Sequence, residues 1–420
     1  MQRLRGRQRA WGSDVRRRGG AALAVTVLTA AALTGTVADT ATAAPGAGPA
    51  AGPDRTGWHS SRAAGPERDE DLRAVAALGS RDAWSVGYRE QPSGTDVPVA
   101  EHFDGAVWRA TAVPAHRPPG TAEPTGQLTS VLPLSARDVW AVGSWNDAAA
   151  FQDRSLAEHF DGRRWREVPL PAEAADRSAY PTALAGSRAD DLWAVGGTAQ
   201  DRISAPRPLA YHWNGSAWSA VDTPDTGGDA LLLGAAADRR GGVWAVGVGY
   251  DAKGEGHPLT EHWDGTAWRI VPAPHTTGRG ETLESVAVLG PDEVWAVGAT
   301  ATPDGVVGPL ALHWDGRTWR AAAVPDVRAD LHSVTAYGRD GLLVVGEQQG
   351  AATPAFTMRW DGAAWHTEPA ATDPAGRGAS LFSVAAVPGT RTAWSVGSTL
   401  PQFDPPWRPI VQEYAGPPAN

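Results

Sequence analysis

Residues Val243–Trp268 read VWAVGVGYDAKGEGHPLTEHWDGTAW. His262 stands two residues from Asp264, a spacing that invites a catalytic reading. Both halves of the stretch recur, however, and the recurrence decides the fold. The VWAVG half returns as DAWSVG ending at Gly87, DVWAVG at Gly143, DLWAVG at Gly196, EVWAVG at Gly298, LLVVG at Gly346 and TAWSVG at Gly397. Those glycines are 56, 53, 51, 51, 48 and 51 residues apart. The HWDG half returns as EHFDGAVW (to Trp108), EHFDGRRW (Trp165), YHWNGSAW (Trp218), LHWDGRTW (Trp319) and MRWDGAAW (Trp365).

A third run precedes each glycine motif. It reads LRAVAAL from Leu72, LTSVLPL from Leu128, LESVAVL from Leu283, LHSVTAY from Leu331 and LFSVAAV from Leu381. With the segment after each HWDG, every unit holds four short runs rich in Val, Trp and Leu, bounded by Gly, Pro and Asp. These are strand signals. We label them a (LxSVAAL), b (VWAVG), c (EHW) and d (WRxVP). A fixed period of about 50 residues with four strands per unit predicts an all-β fold, a seven-bladed β-propeller of four-stranded antiparallel blades. Asp-Gly between strands c and d predicts a two-residue type I′ hairpin with both residues at positive φ. The a–b and c–d connections are short. The b–c and d–a connections are long and differ between units. In an antiparallel meander they share one end, so function is expected on that face.

The seventh unit ends at PIVQEYAG (Pro409–Gly416) without a strand d. RTGWHSSRAAGP (Arg55–Pro66) supplies the missing pattern, with Trp58 in the strand-d tryptophan position. The expectation is that Trp58–Ala63 completes the last blade and removes an open sheet edge.

The repeat resembles the kelch repeat. VWAVG stands for its glycine strand, HWDG for its Tyr-Asp turn, and Trp268–Pro272 for its proline exit. The resemblance covers Trp58 to Gly416. It departs in carrying a single glycine except at Gly196-Gly197, and Trp or Phe in place of the family tyrosine. It implies a propeller like the central domain of galactose oxidase, as in exported bacterial WAVG/HWDG repeat proteins. The Tyr–Cys crosslinked copper site of such oxidases is excluded, because the chain has no cysteine.

Composition narrows the classes. Residues 1–43 pair seven arginines with the apolar run Ala21–Ala38 and a small-residue cleavage site, which reads as a secretory signal peptide. Residues 44–54 read as a flexible linker, and 55–420 as the propeller. Removing the signal takes away seven arginines and two aspartates, so 37 basic and 47 acidic side chains become 30 and 45, a net charge near −15. An acidic chain without a Lys/Arg cluster argues against nucleic acid and anionic membranes as partners. The expected state is a secreted, extracellular or wall-associated monomer, free of disulfides and off the membrane after signal cleavage.

Chemistry is sparse. His102, His159, His212, His262 and His313 recur in register, so they read as structural. The free histidines His116, His257 and His275 lack ligand spacing. No nucleophile elbow, P-loop, dinucleotide fingerprint or His-Glu-x-x-His occurs. No catalytic residue, metal or cofactor is therefore assigned. Non-repeating residues are the better candidates. The second position of strand a carries Arg73, Thr129, Thr182, Leu233, Glu284, His332 and Phe382, near the channel mouth on the variable face. Arg73, Glu284 and His332 are the polar candidates there. The loops add Tyr88, Trp145, Phe151, Tyr180, Tyr250, Phe403 and Trp407. Of these, Tyr88, Trp145, Tyr250 and Trp407 are taken as ligand-binding candidates. The expected function is non-catalytic binding of an extracellular glycan, cell-wall component or protein through the variable loops. The alternative is an exported polysaccharide hydrolase or lyase, which would need a second carboxylate beside Glu284.

Overall fold

A computed structural model describes residues 56–417, apart from 66–68, 119–123, 148–149, 173–175, 201–203, 239, 277–278, 302–304, 306, 352–353, 373–377 and 400–406. The signal peptide, the linker and Phe403 lie outside the described residues. Among the described residues all regular structure is β: seven separate sheets of four antiparallel strands each. The chain is a seven-bladed β-propeller.

Blade 4 contains the opening stretch. Its strands are a (Ala230–Ala237), b (Val243–Tyr250), c (Gly256–Trp263) and d (Trp268–Ile270). Strand a of every blade contacts strand a of both neighbours, so seven of them form a closed inner ring. Blade 7 uses Ala379–Ala386, Thr392–Thr399 and Pro409–Ala415, and takes its outer strand from Gly57–Ser61. Trp58 pairs with Tyr414 across that splice. The predicted closure therefore holds, with the strand beginning one residue earlier and ending two residues earlier than expected.

Buried clusters fill all seven interfaces between neighbouring blades, with a second, smaller cluster between blades 3 and 4. The repeated tryptophans explain them. The strand-b Trp of one blade meets the strand-d Trp of the next edge-to-face: Trp140–Trp218 at 5.6 Å, Trp193–Trp268 at 5.2 Å and Trp244–Trp319 at 5.2 Å. The same contact joins blades 7 and 1 through Trp394–Trp108 at 5.2 Å. Each such pair contributes about 0.5–1.5 kcal/mol beyond its buried area. Blade 6 has Leu343 where the others have Trp, and it packs under Trp58.

The c–d turn differs from the sequence expectation. Trp263 pairs directly with Trp268, which leaves a four-residue turn, Asp264 to Ala267. Only Gly265 takes positive φ, at 94°. The reason is the Asp264 side chain. Its Oδ1 accepts hydrogen bonds from Thr266 N (2.9 Å) and Ala267 N (3.0 Å). This side-chain cap replaces the backbone geometry of a type I′ turn. Asp104, Asp161, Asn214, Asp315 and Asp361 do the same in their blades.

His262 does not pair with Asp264. It sits 3.7 Å from Asp238, in the a–b turn. His102, His159 and His212 each contact the aspartate that opens strand b at 2.9 Å, and that aspartate also accepts the indole N–H of Trp84 and Trp140 at 3.1 Å. The imidazole stacks on the same tryptophan, as in Trp84–His102 at 4.4 Å. The motif histidine is thus one corner of a structural triad that ties strand b to strand c.

Candidate functional site

The invariant glycine of strand b shapes the channel mouth. A Cβ on Gly247 would lie 1.9 Å from the carbonyl oxygen of Leu231, and on Gly87 equally 1.9 Å from that of Asp71. The remaining five motif glycines meet a strand-a carbonyl at 1.9 to 2.2 Å. The carbonyl crowds the glycine because strand a is bulged there. The register slips between Leu72 and Ala74, Leu128 and Ser130, Pro181 and Ala183, Leu232 and Gly234, Leu283 and Ser285, Leu331 and Ser333, and Leu381 and Ser383. The skipped residue is in every case the second position of strand a. A bulge leaves one residue out of the ladder and re-aims its side chain. Arg73, Thr129, Thr182, Leu233, Glu284, His332 and Phe382 are those residues.

Two of them are staples. Thr129 Oγ1 donates to Pro181 O at 3.0 Å, and Thr182 Oγ1 donates to Leu232 O at 2.9 Å, each bridging to the next blade. His332 occupies the equivalent slot and its Nδ1 bonds Leu381 O at 2.8 Å. Since a carbonyl only accepts, Nδ1 carries the proton.

Four consecutive ring positions form one arc: Glu284, His332, Phe382 and Arg73. The His332 and Phe382 rings stack at 5.9 Å, and the Arg73 guanidinium lies 4.5 Å from the Phe382 ring centre. Arg73 also bonds Asp71 Oδ2 at 2.7 Å and Tyr88 Oη at 3.1 Å. Tyr88 Oη donates to Asp71 Oδ2 at 3.1 Å. Burial pushes the Asp71 carboxyl up, and the Arg73 charge opposes that shift. Burial, with the Asp71 charge, also pushes the Tyr88 phenol up. At the other end, Glu284, Asp330 and His332 bring one ligand atom each within 4.8 Å of one another.

The structure thus brings Arg73, Tyr88, Glu284 and His332 together and adds Asp71, Asp330 and Phe382. A signal for the two acids was present: Asp-Leu-Arg (71–73) and Asp-Leu-His (330–332) place an acid two residues before the basic ring residue only in these blades. Trp145 and Tyr250 stand apart. Trp145 stacks on His116 at 4.0 Å, and His116 contacts Glu167 at 3.0 Å. Tyr250 packs with Tyr180, Leu231 and Val248. Trp407 is half-buried, and its carbonyl accepts from Asp69 N at 2.7 Å. Trp145 also packs against the cluster between blades 1 and 2. Among the described residues, Phe151 is the exposed loop aromatic, 76% accessible. A groove of about 590 Å³ runs beside Asp69, Arg89, Gln91, Val97 and Val113, off the arc. His257 and His275, distant in sequence, approach to 3.4 Å, and His275 bonds the buried Glu281.

No family model matches the chain, and no curated protein does. Among solved structures, a protein of unknown function from Dyadobacter fermentans aligns with TM-score 0.52 at 10% identity, over 86% of this chain and 99% of that one. The Hadza microbial sialidase Hz136 gives 0.46 at 11% identity, over 86% and 94%. Trypanosoma rangeli sialidase in complex with 2,3-difluorosialic acid gives 0.46 at 9%, over 73% and 55%. The first likeness is one of fold. The sialidases fall lower and carry no argument about function. The kelch resemblance holds at the level of the propeller.

Proposed function

We propose that the chain is a secreted binding propeller that holds an extracellular glycan or cell-wall component at the channel mouth of its variable face. The observation that supports this is the arc. At a ring position where Thr129, Thr182 and His332 each bond a carbonyl of the next blade, four successive blades carry Glu284, His332, Phe382 and Arg73. An aromatic face flanked by a cation and carboxylates suits a polar ring with hydroxyl or anionic substituents. The test is a glycan array and cell-wall pull-down with the whole chain, repeated with Phe382→Ala and Trp145→Ala. We expect binding to fall at least tenfold in the first variant and to persist in the second. Binding that survives Phe382→Ala and disappears with Trp145→Ala removes the arc from consideration.

One observation favours the hydrolase reading as well. Glu284 and Asp330 present carboxylate oxygens within 4.8 Å, near the separation of about 5–5.5 Å found between carboxyl groups in retaining glycosidases. Turnover of a polysaccharide substrate, abolished by Glu284→Gln, would establish that reading over simple binding.

A further inference from the structure

We infer that Glu284, Asp330 and His332 form a site for a divalent first-row cation such as Zn2+ or Mn2+. The argument begins with the histidine. His332 is buried, 6% accessible, between blades 6 and 7. Its Nδ1 proton is committed to Leu381 O at 2.8 Å. In the neutral imidazole that bond leaves the lone pair on Nε2. Metal-bound histidines are held the same way, with the far nitrogen donating to a backbone carbonyl or carboxylate. Nε2 faces Asp330 Oδ2 at 3.6 Å. A cation shared by the neutral imidazole and the carboxylate would bring the two ligand atoms together.

Glu284 supplies the second carboxylate. It occupies the bulge slot in which Thr129 and Thr182 donate to the next blade. A carboxylate has no proton to donate there at neutral pH, so glutamate cannot serve as that staple. The ligand atoms of all three residues lie within 4.8 Å of one another. Bonds of about 2.0–2.2 Å to a shared cation close that span with small side-chain rotations. The donor set selects the ion. Ca2+ and Mg2+ prefer shells of oxygen alone, whereas an imidazole with two carboxylates suits a first-row divalent ion. Two carboxylates balance its charge, and three protein ligands leave positions open toward the mouth. Those positions would take hydroxyl or carboxylate oxygens. This deepens the ligand reading above and rests on the same arc, although the cation site stands on its own geometry.

The experiment titrates the chelator-stripped whole chain with ZnCl2 and with MnCl2 by calorimetry, alongside Glu284→Gln and His332→Thr. Threonine is what blades 2 and 3 carry in this slot, so His332→Thr keeps a donor for Leu381 O while removing the ligand nitrogen. We expect one saturable site per chain, a rise in Tm with cation, and at least a tenfold loss of affinity in each variant. Co2+ loaded into the unaltered chain should give the visible absorption of a mixed nitrogen–oxygen site, a readout that needs no variant to fold. Absence of saturable binding, or full affinity in both variants, overturns the proposal. A chain that binds an arrayed glycan but no cation overturns the cation site and leaves the ligand reading standing. A chain that takes the cation but no arrayed ligand does the reverse.

Discussion

The glycine of VWAVG carries more of this fold than any other single residue type. It sits opposite a bulge, and the bulge turns the next strand-a side chain toward the channel. Gly247→Ala would drive a methyl to 1.9 Å from the Leu231 carbonyl oxygen, whereas a Cβ on Gly249, two residues on in the same strand, meets nothing within 4 Å. We expect Gly247→Ala to cost about 3 kcal/mol or more, since backbone must shift, and Gly249→Ala no more than about 0.5 kcal/mol. Chemical denaturation of the two variants checks this; equal costs would mean that the bulge yields easily. The motif is legible in sequence as a glycine strand, but its cause is not. Nothing in VWAVG states that its partner strand skips a residue, because a bulge belongs to the pairing of two strands. For the same reason Arg73, Glu284 and His332 could be placed near the mouth from their repeat position, while Asp71 and Asp330 could not.

At the scale of the element, strand c buries carboxyl groups at high cost. Glu158 and Glu261, which precede the motif histidine, are fully buried. Burial, joined at Glu158 by the charge of Glu167, pushes each carboxyl from 4.5 up to about 8. Glu101 at the same position accepts two backbone N–H bonds, from Ala64 and Gly65, at 2.8 Å. Blade 7 carries Gln412 there, bonded both ways to Ala371. Because the folded-state pKa is raised, the folded chain keeps two protons that the unfolded chain releases above about pH 4.5. Stability from these groups is therefore complete below pH 4.5 and is lost as pH rises through about 8. We expect Glu158→Gln and Glu261→Gln to be more stable than the parent by about 1–3 kcal/mol each at pH 8.5, with the gain shrinking toward pH 5. Thermal melts at the two pH values measure it, and a gain independent of pH would rule out proton linkage. The glutamates were visible as part of EHW, yet their burial was not, since short strands bounded by turns do not reveal which face meets the next blade. The c–d turn was misread for a related reason: Asp-Gly announces a turn, but the Asp264 side chain, bonding its own backbone, sets its length.

For the whole molecule, the repeat period predicted the blade number and the unpaired seventh unit predicted the splice. A ring must close, so a missing strand d at one terminus and a spare one at the other have a single solution. The interfaces show how closure is secured. Blades 7 and 1 meet through the Trp394–Trp108 pair, as other blades do. The interface between blades 6 and 7 lacks that pair, because blade 6 carries Leu343 in the strand-b tryptophan position, and Trp58 of the closing strand instead covers Leu343, Val345 and Tyr414. The splice strand is thus both the outer edge of blade 7 and the lid of the one interface built without that pair. Trp58→Ala should therefore cost more than a typical strand-d truncation, at or above the upper end of the 3–5 kcal/mol usual for a buried tryptophan. Trp218→Ala in blade 3, where Trp140 and Trp213 remain to fill the space, is the comparison. Deleting the strand altogether exposes the edge at Pro409–Ala415 to pairing with other chains. The measurement is equilibrium unfolding of both variants, with light scattering on the deletion. If Trp58→Ala costs no more than Trp218→Ala and the deleted chain stays monodisperse, closure is held by the inner ring of a strands alone.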